Sequence, residues 1–158
     1  MAAPVIIVVA LLALASACGP KFDDPYYDDV VRVVNNGSWS ALMASRLLEI
    51  EADRYVRNEQ LGDGYACLQI DSSIESLQKR YRDLRRDLEP LDPPDSASSW
   101  HGDFLRVIDE SIDSLYDTRG ALARGDQFML DAALSRLEGL AEDGAELVDR
   151  FNDDFDRG

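Results

Sequence analysis

The chain has 158 residues, 31 of them Asp or Glu against 16 Lys or Arg, for a formal net charge of −15. A surface this acidic is repelled by nucleic-acid phosphates and bare anionic lipid, so nucleic-acid binding is not expected. Hydrophobic residues at 46% and charged residues at 30% place it among globular rather than disordered chains, and its length suits one domain with one core.

Residues 5–17 (VIIVVALLALASA) carry no charge and end in small side chains. As a helix this run rises about 20 Å, short of a hydrocarbon core about 30 Å thick. It reads as the apolar region of a removable secretory signal rather than a permanent span. Leu14-Ala15-Ser16-Ala17-Cys18 closes the run, and it resembles the lipobox of bacterial lipoproteins. The resemblance covers only the processing signal. It implies that residues 1–17 are removed, that Cys18 takes diacylglycerol on its thiol, and that the chain meets a membrane through that lipid. Two departures stand out: Ala15 occupies the place where leucine is usual, and no Lys or Arg precedes the run. Ala15-Ser16-Ala17 also satisfies the small-x-small rule of ordinary signal peptidase, whose cut at the same bond would release a secreted, soluble product.

After a short tether at residues 18–24, residues 25–158 are expected to form one all-α domain, an up-and-down four-helix bundle. Asp24-Pro25 offers an N-cap and a proline at the first helical position. The first segment, residues 26–58, contains Val30-Val31-Arg32-Val33-Val34 followed by Asn35-Asn36-Gly37, which also fits the start of a β-hairpin. The helix is preferred because the stretch after Gly37 soon becomes helix-favouring and no further strand exists to complete a sheet. Asn36-Gly37 then reads as a break or kink.

Leu61-Gly62-Asp63-Gly64 is a turn. Beyond it Cys67, Ile70, Ile74, Leu77, Tyr81, Leu84 and Leu88 recur at alternating spacings of three and four, one continuous apolar seam, with polar Gln78 next to Leu77 expected to face solvent. Pro90, Pro93 and Pro94 end that helix, and the run from Asp95 to Ser99 supplies candidate caps for the next. A third helix carries Phe104, Leu105, Ile108, Ile112, Leu115 and Leu122 up to Gly125. Asp126 caps a fourth with Leu130, Leu134, Leu137, Ala141, Gly144, Val148, Phe151 and Phe155. The stretch Pro93-Pro94, six residues, His101, two residues, Phe104, followed by an amphipathic helix and the Gly125-Asp126 break, is similar to the layout of small helical bacterial lipoproteins of unknown role. That likeness brings no functional residues with it.

Candidate sites are few. His101 is the sole histidine, so a zinc site, a di-iron pair or a nucleophile-base dyad would need ligands the pattern does not offer, and a surface or helix-start role is expected. Haem held by His101 with Met43 or Met129 is the remote alternative. Cys67 on the seam reads as a core thiol. The acidic clusters around Asp24, Asp28-Asp29 and Asp153-Asp154-Asp156 lack the order of an EF-hand loop and fit helix starts or a solvated end. Arg124-Gly125-Asp126 has the glycine and aspartate that a tight interhelical turn requires.

The one basic patch is Lys79, Arg80, Arg82, Arg85 and Arg86. Lys79, Arg82 and Arg86 share a helical side and are the candidate contacts for an anionic surface. The preferred alternative has them paired with acidic neighbours, including Glu75 with Lys79, and drawn to the carbonyl end of the helix. No cofactor is implied. The expected role is a non-enzymatic binding or scaffold module, tethered through Cys18 and acting on an unidentified envelope protein. A small-ligand or cofactor carrier and a secreted protein are the alternatives.

Overall fold

The computed structural model describes residues 25–37 and 64–155. Among these residues the chain is helical apart from its connections, and no strand occurs. Helix α1 covers residues 25–37, α2 Gly64–Leu88, α3 Ser98–Arg124 and α4 Gln127–Phe155. The expected all-α four-helix bundle is therefore the fold.

The valine run is helical because its branched side chains serve a helical stripe. Tyr26, Val30 and Val34 are buried at spacings of four, with Val31 and Val33 packed against the same core. Gly37 is the last described residue of α1, and the break expected at Asn36-Gly37 falls at the edge of the described residues. Its missing side chain serves close approach: a Cβ there would lie 2.7 Å from Leu84 Cδ1 of α2.

The tyrosine hydroxyl of Tyr26 meets His101 Nδ1 at 3.0 Å, and that of Tyr27 meets Ser96 Oγ at 3.4 Å. The start of α1 therefore lies beside the start of α3, which the connection at residues 89–97 joins to the end of α2. Trp100 near the start of α3 packs on Phe151 near the end of α4. So α1 and α3 run one way and α2 and α4 the other, as an up-and-down bundle requires.

On α2 the expected seam holds: Ile70, Ile74, Leu77, Tyr81, Leu84 and Leu88 are all buried. The side chain of Cys67, expected in the core, lies outside the described residues, as does that of Phe155. The burial of α3 is wider than expected, since this helix packs on α2 and on α4; Trp100, Val107, Ser111, Ser114, Thr118 and Ala121 join its core. On α4 the stripe leans to Ala133, Leu140 and Leu147, while Leu134 and Ala141 are half-buried at its flank. Gly144 faces Val107, with room for an ordinary contact: a Cβ would stand 3.8 Å from Val107 Cγ1.

The helix ends divide into one expectation met and one corrected. Gly125 takes the left-handed conformation (φ 63°), the N–H of Asp126 reaches the carbonyl of Ala121, and Asp126 Oδ1 accepts the N–H of Met129 at 3.0 Å. The Arg124-Gly125-Asp126 triplet is thus a helix stop joined to a helix start. At the start of α3, however, buried Ala97 takes the N-cap place and none of the nearby hydroxyls or Asp95 caps. A turn does the work, with the Ala97 N–H bonded to Pro94 O, and Ser96 turns towards Tyr27.

Candidate functional site

Cys18, the expected anchor, lies outside the described residues. The basic candidates lie on α2 and separate by chemistry. Arg86 donates to Asp83 at 2.8 Å and to Asp87 at 3.0 Å, both on its own helix. Arg82 turns to α3, with its guanidinium carbon 5.9 Å from the centroid of the Tyr116 ring. Lys79 is exposed and forms no ion pair with a described residue, so the expected partnership with Glu75 is not made. The three residues do not converge on one point.

Two arginines of the α2–α3 seam are committed to structure. Arg119 grips Asp71 with two bonds of 2.5 and 2.8 Å. Arg85 reaches Asp109 at 2.6 Å and Glu89 at 2.7 Å. Each carboxylate raises the pKa of its guanidinium, first by hydrogen bonding and then by charge. These pairs are one-third to one-half exposed, so solvent screens them and they mainly fix the register of α3 on α2.

Between those two ion pairs along the helix, the interior of the same seam is polar. Gln78, whose side the sequence pattern assigns to solvent, is 1% exposed. Among the described residues neither its Oε1 nor its Nε2 has a hydrogen-bond partner. Ser111, beside Tyr81 of α2, and Thr118 are buried and bond to carbonyls one turn back on α3, and Ser114 donates to Ala133 O of α4 at 2.9 Å. Buried Tyr81 has its pKa pushed up to about 12, chiefly by desolvation and partly offset by a hydrogen bond with Ser111. Polarity scales hide such residues, because a hydroxyl satisfied within its own helix packs as an apolar group does.

His101 starts its helix as expected but is buried, not at the surface. Burial holds its pKa below 6.5, and the adjoining start of α3 also disfavours a positive charge. Its ring lies beside that of Tyr26, and from Tyr26 a chain of ring contacts runs through Tyr27, Phe151 and Trp100 to Phe104, an aromatic end of the bundle.

A groove of about 630 Å³ opens between α1 and the C-terminal half of α2. Arg32, Val33, Asn36 and Gly37 form one wall; Arg80, Asp83, Leu84, Arg86 and Asp87 form the other, and Pro90 and Leu91 close one end. Its cations thus include only one of the three residues expected to face an anionic surface, Arg86. Arg32 was hidden from the pattern because it lies on a different helix.

Among the described residues no group of three or more His, Cys, Asp or Glu side chains could hold a metal ion, and no helix is long and apolar enough to cross a membrane. Comparison of the chain with protein-family models, curated proteins and solved structures found no match.

Proposed function

We propose that the chain is a lipid-anchored protein of the bacterial cell envelope, held through Cys18, whose helical body is a non-enzymatic module that binds or scaffolds another envelope protein. The observation that carries this reading is Cys18 itself, directly after an apolar run that ends in Leu14-Ala15-Ser16-Ala17. The fold adds a consequence. Helix α1 is already formed at residue 25, so the tether between it and Cys18 spans at most about 20 Å. The start of α1, the α2–α3 connection and the aromatic end around Trp100 then face the membrane, and the α3–α4 turn points away from it.

Fractionation of cells that make the chain or its Cys18→Ala variant tests the anchor. Wild type is expected in the membrane fraction and the variant as an uncleaved or mislocalised precursor. If both are cleaved alike and both are soluble, the Ala15-Ser16-Ala17 motif acts as an ordinary cleavage signal and the protein is secreted.

A further inference from the structure

We propose that the groove between α1 and α2 is a binding site for a phosphate group, clamped by Arg80 from one wall and Arg32 from the other. Arg80 is exposed on the groove and forms no ion pair with a described residue. Its place is not explained by the carbonyl end of α2 either, since it stands two turns before Leu88, beyond the last turn where Arg85 and Arg86 lie. Arg32 donates from Nη2 alone, to Asp29 on its own helix, which leaves further donors of its guanidinium fork to a ligand. Its pair with Asp29 is 67% and 43% exposed on the two sides, so sharing that guanidinium costs little.

Arg86 has the opposite role. With Nε and Nη2 on Asp87 and Nη1 on Asp83, it is nearly saturated, and it neutralises the carboxylates that would otherwise repel an anion. The lining carries three arginines against two aspartates; with Asp29, which pairs with Arg32, the carboxylates are matched by Arg32 and Arg86, and Arg80 is left to meet an anion. Forked guanidinium donors match phosphate oxygens in geometry and charge. Val33, Leu84 and Leu91 give the groove an apolar floor, suited to a phosphate that carries a carbon chain. Gly37 lets the two walls approach closely, because a Cβ there would stand 2.7 Å from Leu84 Cδ1 and Leu84 would have to move. Two sources have this chemistry: a soluble phosphate ester and a phospholipid headgroup. Binding requires no acyl group on Cys18.

The test is nuclear magnetic resonance on the full chain in micelles of a zwitterionic detergent, at constant ionic strength set with chloride. Inorganic phosphate is titrated in one arm and phosphatidylglycerol is doped into the micelles in the other, with the Val33 and Leu84 methyl groups and the Arg80 side chain observed. Saturable shifts with phosphate support a soluble ester as ligand; shifts with phosphatidylglycerol alone support a headgroup. In either case Arg80→Gln should weaken binding about tenfold, the loss of one charge-assisted hydrogen bond. Arg106→Gln, on α3 and remote from the groove, should leave binding unchanged. Absence of saturable shifts in both arms, or equal binding by the Arg80→Gln variant, overturns the proposal.

Discussion

Trp100 donates its indole N–H to the backbone carbonyl oxygen of Leu147 at 2.6 Å, across the interface of α3 and α4. The same ring stacks on Phe104, centroids 5.1 Å apart, and lies 4.6 Å from the ring of Phe151. One side chain thus joins the start of α3 to the end of α4 by a directed bond and by aromatic packing. Through Tyr27, which packs edge-on to Phe151, the join extends to α1.

Replacing Trp100 should separate these two contributions. Trp100→Phe keeps an aromatic ring and loses the bond, for an expected cost of about 1 kcal/mol. Trp100→Ala also leaves a cavity and should cost about 3–5 kcal/mol. Urea unfolding of the full chain reads both values, and equal costs would mean that packing by the ring contributes nothing.

Gln78 reverses an expectation based on periodicity. A buried amide without a partner carries its full desolvation cost, so Gln78→Leu should stabilise the bundle by about 1–3 kcal/mol. Gln78→Asp should be severely destabilising, by several kcal/mol, as Leu77→Asp is at the neighbouring buried position. Thermal unfolding of the three variants provides the check; a Gln78→Leu protein less stable than wild type would show that the amide has a partner in the folded state.

These residues also mark where the sequence was legible. The α2 seam could be read because a long amphipathic helix repeats one choice many times, and Ile70, Ile74, Leu77, Tyr81, Leu84 and Leu88 agree with one another. Gln78 breaks the pattern because a polar residue need not be exposed: its position on the flank of the seam puts it under α3. On α4 the sequence pattern favours Leu134 and Ala141 over Ala133 and Leu140, since apolar residues stand at both edges and only the position of α3 decides between them. The groove was illegible in principle. Arg32 and Arg80 are 48 residues apart in the chain, and only the antiparallel packing of α1 on α2, permitted by Gly37, brings them to one opening.

His101 should make stability depend on mild acid. The folded state holds the imidazole neutral, with a pKa below 6.5 because of burial, whereas the unfolded chain takes up a proton once the pH falls through about 6.5. The unfolded state then binds more protons, so stability is complete above that pH and declines as pH falls from 6.5 through the depressed folded value. His101→Gln, which retains an acceptor for the Tyr26 hydroxyl, should lose this component of the pH profile. Melting temperatures of the two proteins across that window are the measurement, and profiles that differ only by a constant offset would contradict the assignment.

The envelope reading depends on the chemistry of Cys18, and an intact mass of the protein extracted from membranes tests it most directly. The account predicts a chain that begins at Cys18, lacks residues 1–17 and carries the added mass of a diacylglyceryl group on its thiol. A cleaved chain of unmodified mass, with a free Cys18 thiol and recovered only from soluble fractions, would contradict it.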